Sequence, residues 1–348
     1  MYHSIRPGQI WMDTDGKRIQ AHGGSVLYEN GTYYWYGENK ENTDGKSEVW
    51  HWGVRCYSSQ DLYNWRDEGL IIPPDLSNRS SPLHPSAMMD RPHILFNAQT
   101  KKYVWWLKIM QRDGTQSETV LTADRLLGPY TMVKTGLRPL GMSAGDFDLA
   151  VAPDGKGYYF FERVHSETII ADLTEDYCGV TGYYSTHFPQ AGPPYVREAT
   201  AHFVRKGKHY LITSGTTGYF PNPSQVAVAD TWHGPYRVLG NPHRGDESGT
   251  SFHSQVSSVF KVQGKRDLYI AVADRWLPSC QYKYEEYKKA FERRFIRGEK
   301  PLPSEEKFFA DVAANTSIAD YVWLPLRFEG EKPVIEWRDE WKVGEYKE

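Results

Sequence analysis

The sequence predicts an all-β fold, a five-bladed β-propeller with a helical insertion in the last blade. Five segments share one design, in which a turn leads into a strand rich in aromatic residues and an apolar strand comes before the turn. Self-similarity that recurs roughly every 50 residues and consists of strands and turns is typical of a propeller. A β-sandwich or barrel is the alternative, but chance would have to repeat both the turn and the preceding strand in every unit.

The strands follow a regular order along the chain. Apolar first strands are predicted at residues 24–28, 93–96, 148–151, 201–204 and 256–260. Aromatic second strands are predicted at residues 31–38, 101–108, 155–162, 207–213 and 265–272. Third strands are predicted at residues 54–58, 119–122 and 225–229, and residues 334–337 would supply the last strand that closes the ring. Residues 1–348 are therefore predicted to form a single domain.

One segment interrupts the repeat, at about residues 283–314. Within it, residues 285–296 place apolar side chains at helical spacing among mixed charges, a pattern that predicts an amphipathic helix. The segment falls between strands of the last unit. We expect a helical insertion that decorates the surface or mediates contacts between copies of the chain, and not a catalytic part.

Composition narrows the classes of function. The net charge is −3, which gives no electrostatic case for binding nucleic acid or an anionic membrane. No apolar run is long enough to cross a bilayer, and the first residues lack the apolar centre of a signal peptide, so a cytoplasmic protein is expected. Three widely spaced cysteines predict neither a disulfide framework nor a zinc site. The aromatic fraction of 14% suits strands and surfaces that stack on sugars.

Polar side chains come just before the first strand of every unit. The inner strands of a propeller surround its axis, so these side chains are expected to converge at one end of that axis. They are His22, Asp90, Asp146, Glu198 and Gln255. Carboxylates gathered in one place are costly to bury without a function. A pair of them is what cleavage of a glycosidic bond requires, because one donates a proton while a partner activates water.

Short motifs carry a further signal through their order along the chain. They are Gln20-Ala-His-Gly-Gly24, Tyr33-Tyr-Trp-Tyr-Gly-Glu38, Ser58-Ser-Gln-Asp-Leu-Tyr-Asn-Trp65, Asp90-Arg-Pro92, Ala144-Gly-Asp146, Arg197-Glu-Ala199, Thr213-Ser-Gly215, Ser254-Gln255, Asp274-Arg-Trp276 and Tyr321-Val-Trp-Leu-Pro-Leu326. In this order they resemble glycoside hydrolase family 43, the five-bladed propeller hydrolases, and in particular its exo-β-1,3-galactosidase (galactanase) group. The resemblance covers most of the chain outside the insertion.

The resemblance implies catalytic roles. Glu198 is similar to the general acid of the family, and Asp146 to the carboxylate that orients this acid and tunes its pKa. Asp148 lies two residues further on the same strand face, and only the motif favours Asp146 over it. Most members place an Asp base in the first blade, where this chain has Ala21-His22-Gly23. The galactosidase group shares that gap, and Gln255 matches the Gln that is proposed there to handle the nucleophilic water.

Other positions are implied to contact the substrate. Glu38 matches a sugar-contacting Glu of the group and is a second candidate base, and Thr217 falls at a matching subsite position. The chain departs from the group at two places, with Asp90 instead of Glu and His165 instead of Asn. Losing one methylene withdraws a carboxylate by about 1 Å, so the identity of the sugar stays open.

Residue type adds further candidates. His22 is a candidate for substrate contact, or for a hydrogen bond to a turn. His253 is the candidate ligand for an axial Ca²⁺, since many members of the family hold calcium or a water cluster there, and no cofactor is otherwise expected to be required. Four tryptophans are candidates for stacking on sugars, although most Trp at strand spacing is core: Trp35, Trp105, Trp106 and Trp276.

The predicted function is inverting, exo-acting hydrolysis of β-1,3-linked galactose in galactan-type oligosaccharides. In an inverting enzyme the acid and the water-activating group lie about 6.5–9.5 Å apart. An α-L-arabinofuranosidase of the same family and a non-catalytic, glycan-binding propeller are the alternatives. Glu198 discriminates against the second, because a binding protein does not need an acid partnered by Asp146. An oligosaccharide is the expected partner, and the sequence leaves the oligomeric state open.

Overall fold

The computed structural model describes residues 1–310 and 314–348, and it contains five sheets that form the predicted five blades. In each of the first four, consecutive strands pair in chain order. Blade 1 comprises β1 (His22–Glu29), β2 (Thr32–Glu38), β3 (Val54–Ser59) and β4 (Arg66–Ile72); blade 2 comprises β5 (Met88–Asn97), β6 (Lys102–Met110), β7 (Gln116–Ala123) and β8 (Thr131–Leu137). Blade 3 comprises β9 (Ala144–Val151), β10 (Gly157–Arg163), β11 (Glu167–Leu173) and β12 (Val180–His187); blade 4 comprises β13 (Arg197–Arg205), β14 (Lys208–Gly215), β15 (Gln225–Ala229) and β16 (Arg237–Gly240).

The fifth blade departs from this simple order. Its strands are β17 (His243–Arg244), β18 (Gln255–Lys261), β19 (Tyr269–Arg275), β20 (Asp320–Tyr321), β21 (Leu324–Glu329) and β22 (Lys332–Glu336). They pair as β17-β22-β21-β19-β18, with β20 also on β19. The C-terminal strand thus completes the outer part of this blade, while the ring closes where the Ser257 hydroxyl on β18 donates to the Gly24 carbonyl on β1, at 3.0 Å.

Alternation of side chains along the strands builds the core between blades. On β6, Trp105 and Leu107 pack toward blade 1, whereas Val104 and Trp106 pack toward blade 3. Both faces of a blade are therefore buried, which explains why the second strands read as runs of large apolar and aromatic residues instead of alternating with polar ones. Blades 5 and 1 are joined by a cluster that includes Trp35 and Trp323.

The predicted insertion lies between β19 and β20. Helix α1 (Tyr284–Phe291) continues into one π-helical segment (Glu292–Ile296), and a 3₁₀ turn follows at Glu306–Phe309. Further 3₁₀ turns lie at Pro139–Gly141, Thr316–Ile318 and Val343–Glu345. Residues 311–313 of the predicted insertion fall outside the described residues. Among the described helices, none is long and apolar enough to cross a membrane.

Candidate active site

A cavity of about 430 Å³ opens at the end of the propeller axis where the inner strands begin. Its floor carries the charged and polar side chains Glu38, Asp90, Arg91, Lys108, Asp146, Glu198 and Gln255. Aromatic side chains stand on one side, where the Tyr219 ring lies 6.1 Å from that of Trp50 and 5.3 Å from that of Trp276. The floor thus gathers four of the five polar residues that the repeat predicts to converge.

Strand register explains how the floor is assembled. On the inner strands, four of the five predicted polar residues lie opposite another polar residue on the second strand of the same blade. The pairs are His22 with Glu38, Asp90 with Lys108, Glu198 with Ser214, and Gln255 with Asp274. Every blade described by these pairs therefore delivers two polar groups to the same end of the axis.

A β-bulge follows three of these inner residues. The register shifts after His22, after Asp90 and after Glu198. The residue after each has a positive φ, 61° at Gly23, 51° at Arg91 and 49° at Ala199. Such bulges re-aim side chains beside active sites. A Cβ at Gly23 would lie 2.4 Å from Glu38 Oε1, so the carboxylate of Glu38 occupies space that only glycine leaves open.

Among the carboxyl groups on the cavity floor, Glu198 has an environment that favours its protonated form. Burial raises the pKa of Glu198 well above its usual value, and the charges of Asp146 and Glu162 raise it further against Lys108 and Arg91. Its nearest described side-chain partner is the Gln255 amide, whose Nε2 lies 3.4 Å from Glu198 Oε1. A carboxyl group whose pKa is raised, on the floor of a cavity, is suited to act as an acid.

Asp146 has the opposite environment. Lys108 Nζ donates to Asp146 Oδ1 at 2.7 Å, and Arg91 Nη2 lies 3.0 Å from Asp146 Oδ2. Burial works against ionisation of Asp146, but these two cations outweigh it and hold its pKa well below the usual value. The Asp146 charge is thus permanent, and it is one reason why Glu198 stays protonated.

Glu38 and Asp90 form a second acidic pair on the floor. Glu38 accepts a hydrogen bond from the Arg91 backbone N–H at 3.0 Å and lies 2.8 Å from Lys40 Nζ. Burial raises the pKa of Glu38 to about 7, with Asp90 adding to the rise and Lys40 opposing it. Asp90 accepts from Trp50 Nε1 at 2.7 Å and lies 3.3 Å from Lys108 Nζ. Glu38 therefore changes its charge near neutral pH.

Both polar atoms of the Gln255 side chain have hydrogen-bond partners. Its Oε1 accepts from Arg91 Nη2 at 2.5 Å and from Trp276 Nε1 at 3.2 Å. Its Nε2 donates to Ser214 Oγ at 2.9 Å and reaches Glu198 Oε1 at 3.4 Å. This last distance is much shorter than the separation of about 6.5–9.5 Å expected between acid and water-activating group in an inverting enzyme. In this arrangement Gln255 lies beside the acid and not across the sugar from it.

The insertion forms a wall of the cavity, a position that the sequence analysis did not predict. Phe291, Phe295, Phe308 and Phe309 line the cavity together with Arg294. Phe291 and Phe308 are buried with Tyr287 in a cluster that also contains Phe220 from the loop after β14. Burial of these rings fixes the insertion onto the propeller, so its position beside the floor follows from its apolar face.

Three predicted substrate contacts do not reach the cavity. His22 is buried and bonds Asp274 Oδ1 through Nδ1 and Gln20 Oε1 through Nε2, at 3.0 and 3.1 Å. The Thr217 hydroxyl is buried and donates to the Phe220 carbonyl. Trp106 is buried between blades 2 and 3, where its indole N–H donates to the Tyr177 carbonyl. The repeat, the resemblance and the residue type suggested His22, Thr217 and Trp106 respectively, but none of these signals revealed the internal partners.

His165 and Asp148 differ in how they relate to the cavity. His165 lines the cavity and keeps 43% of its side chain exposed. Asp148 accepts from the His202 backbone N–H at 2.7 Å and so ties blade 3 to blade 4; burial raises its pKa to about 7. Of the two aspartates on β9, the structure places Asp146 on the cavity.

His253 has a structural contact, since its Nδ1 lies 3.0 Å from the Cys280 carbonyl oxygen. In residues 1–310 and 314–348, no group of three or more His, Cys, Asp or Glu side chains could hold a metal ion. Calcium is coordinated by six to eight oxygen atoms as a rule, and these contacts do not supply such a shell. An axial Ca²⁺ therefore stays a prediction.

Lys108 and Trp50 line the cavity, but the sequence analysis did not identify them as site residues. Lys108 ends the aromatic run of the second strand, at the place where Glu38 and Glu162 end theirs. That repeated charged end is a signal that would have identified it. Trp50 belongs to an irregular loop before β3, and no repeat marks it.

Comparison with known proteins agrees with this geometry. The family described as Glycosyl hydrolases family 43 matches residues 19–278. No curated protein sequence matches the chain. Among solved structures, a family 43 β-1,3-galactosidase has 31% identity and a TM-score of 0.80, and covers 99% of this chain and 64% of its own. The chain thus spans less than two thirds of that relative.

Two further structures extend the likeness. A second family 43 β-1,3-galactosidase, solved with galactodeoxynojirimycin, has 27% identity and a TM-score of 0.77, over 97% of this chain and 100% of its own. An exo-β-1,3-galactanase from Phanerochaete chrysosporium, solved with galactose, has 25% identity and a TM-score of 0.77, over 98% of this chain and 68% of its own. The predicted resemblance is confirmed, and the chain belongs to glycosyl hydrolase family 43.

Proposed function

We propose that this protein is an exo-acting, inverting β-1,3-galactosidase of galactan-type oligosaccharides, with Glu198 as its general acid. The observation that carries the proposal is the contrast between Glu198, whose pKa is raised, and Asp146, whose pKa is lowered, on the floor of one cavity. A carboxyl group with a raised pKa beside one that stays ionised is suited to donate a proton, while its neighbour favours its protonated form. The names of the similar structures, β-1,3-galactosidase and exo-β-1,3-galactanase, support the sugar and the linkage.

The acid step follows from the environment of Glu198. As the bond between the anomeric carbon and the glycosidic oxygen breaks, Glu198 donates its proton to that oxygen, which leaves as a neutral hydroxyl. Asp146 remains ionised between Arg91 and Lys108, so its negative charge favours the protonated form of Glu198 before the reaction. Gln255 positions the acid, since its Nε2 lies 3.4 Å from Glu198 Oε1.

Water supplies the second half of the reaction. A water oxygen bonds to the anomeric carbon from the face opposite Glu198, and the water gives a proton to a base. Attack from that face inverts the configuration of the anomeric carbon. The role of Gln255 in holding this water stays a proposal, and both of its acceptor positions already receive N–H donors. Glu38 is the better proton acceptor, because its pKa of about 7 lies where a base works near neutral pH.

The role of Glu38 predicts a pH dependence. A base must be ionised, so kcat/KM is expected to fall as pH drops below about 7 and Glu38 takes up a proton. In Glu38→Gln this acidic limb should disappear together with most of the activity. A parent profile that stays flat from pH 8 to pH 5, or an unchanged limb in Glu38→Gln, would move the proton to another group.

The function is tested with substrates that separate the alternatives. β-1,3-Galactobiose should be hydrolysed, and NMR should show α-galactose as the first-formed anomer. Hydrolysis of α-L-arabinofuranosides in preference to galactobiose would favour the arabinofuranosidase alternative. Binding of galactobiose without cleavage at any pH would favour a glycan-binding propeller, and β-galactose as the first product would contradict inversion.

A further inference from the structure

The insertion brings one cation to the cavity. Arg294 lies on the π-helical segment and lines the cavity beside Phe295 and Phe309. Its guanidinium carbon lies 4.6 Å from the centre of the Phe309 ring and 5.2 Å from that of the Phe295 ring. Stacking on ring faces holds a guanidinium in place while leaving its edge N–H groups available to a ligand.

The neighbouring arginines of the insertion are used differently. Arg293 is paired with Glu305 at 3.1 Å and with Glu299 at 3.0 Å. Arg297 lies 4.0 Å from Glu299. Within the described ranges 1–310 and 314–348, Arg294 forms no such ion pair, and its contacts are the two rings. Arg293 and Arg297 are thus paired with carboxylates of the insertion, whereas Arg294 faces the cavity.

The cations of the floor are also engaged in ion pairs with carboxylates. Arg91 pairs with Asp146, and Lys108 bridges Asp146 and Asp90. An anionic group on a substrate would have to compete there with Asp146 and Asp90 for cations that these carboxylates already hold. At the insertion wall it would meet a planar cation between aromatic rings. The two sides of the cavity therefore differ in the charge they accept.

We propose that Arg294 selects oligosaccharides in which the sugar unit against the insertion wall carries a carboxylate. A guanidinium binds a carboxylate through two parallel N–H···O contacts, which a neutral hydroxymethyl group cannot reproduce. The inference rests on the proposed function for the reaction and the linkage, and it adds the acidic substituent as a determinant of substrate choice.

The test compares ligands that differ in one group. β-1,3-Galactobiose and its derivatives oxidised to the carboxylate at C6 of either unit are titrated by calorimetry into Glu198→Gln, which keeps the cavity but slows cleavage. One of the two acidic disaccharides should bind about tenfold more tightly than the neutral one, as expected for a charge-assisted contact. Adding Arg294→Gln should abolish this preference, whereas Arg294→Lys should keep part of it.

Arg297→Gln is the matched control, since it removes the same charge from the same insertion away from the cavity and should keep the preference. Equal affinity of the parent for neutral and acidic disaccharides would overturn the proposal. A loss in Arg294→Gln that is equal for both would also overturn it, because Arg294 would then bind hydroxyl groups. Tighter binding of a 6-sulfated disaccharide than of the carboxylates would reject the carboxylate.

A failure of the proposed function gives a different result. If galactobiose neither binds nor reacts, the linkage assignment fails, and the same comparison is made with galactose and galacturonic acid. A galacturonic acid preference that Arg294→Gln removes would then still support the role of Arg294. No preference between these monosaccharides would contradict it.

Discussion

The floor of the cavity and the wall made by the insertion contrast in origin and in chemistry. The floor comes from strand ends that the blade repeat delivers to the axis, and its charged groups are buried and paired. The wall comes from one segment outside the repeat, and its contacts are rings and one arginine. Changing one charge on the floor leaves another without a partner, whereas removing a ring from the wall removes contact area.

This difference predicts how each region responds to substitution. On the floor, effects should reach both catalysis and stability, because breaking a buried ion pair costs about 3–5 kcal/mol. On the wall, effects should appear in binding. The substitutions below are ordered from the largest expected effect to the smallest.

Asp146→Asn should have the largest effect of the three. It removes a charge that, after burial, contributes most to the raised pKa of Glu198, and it leaves Arg91 and Lys108 with less compensation. We expect kcat/KM for galactobiose to fall by about 10³, with a lower midpoint of thermal unfolding. Asp124→Asn is the control, since Asp124 is 82% exposed and pairs with Lys102 at the surface, where little change is expected. Similar losses in the two variants would contradict the account.

Gln255 should show an intermediate effect. Gln255→Ala leaves the N–H groups of Arg91 and Trp276 without their acceptor, so kcat/KM should fall by about 10². Gln255→Glu keeps that acceptor and should retain more activity. It also places a negative charge beside Glu198. This charge should raise the pKa of Glu198 and shift the alkaline limb of the kcat/KM profile to higher pH. Equal activity of Gln255→Ala and the parent would remove Gln255 from the site.

Phe295→Ala should have the smallest effect. The Phe295 side chain is 37% exposed and lines the cavity, so its loss should raise KM by about three- to tenfold with little change in kcat. Phe96→Ala removes a ring that is 44% exposed on blade 2, and serves as the control with unchanged KM. A fall in kcat that exceeds the rise in KM would show that the wall takes part in the chemical step.

Much of the floor could be predicted from the sequence, because its residues recur at equivalent positions of the blade repeat. Glu198, Asp146, Asp90 and Gln255 occupy equivalent places in the repeat, and all four line the cavity. His22 holds the same place and yet turns to Asp274 and Gln20, because equivalent backbone positions do not fix which way a side chain finds its partner. The resemblance likewise suggested Thr217 as a substrate contact, but it could not reveal that the Thr217 hydroxyl donates a hydrogen bond to the Phe220 carbonyl.

The wall could not be predicted in the same way. The helical pattern of residues 285–296 indicates an amphipathic helix, but amphipathicity does not say which surface receives the apolar face. Here the receiving surface includes Phe220, in the loop that follows β14. That contact across more than 60 residues decides that Phe295 and Arg294 stand at the cavity, and no local signal contains it.

The central claim, that Glu198 is the general acid, is tested most directly by leaving-group dependence. In Glu198→Gln, kcat/KM for β-1,3-galactobiose should fall by about 10² to 10⁴ relative to the parent. For 2,4-dinitrophenyl β-galactoside the loss should be much smaller, because that leaving group departs without a proton. Equal losses on the two substrates, or parental activity of Glu198→Gln on galactobiose, would contradict the assignment.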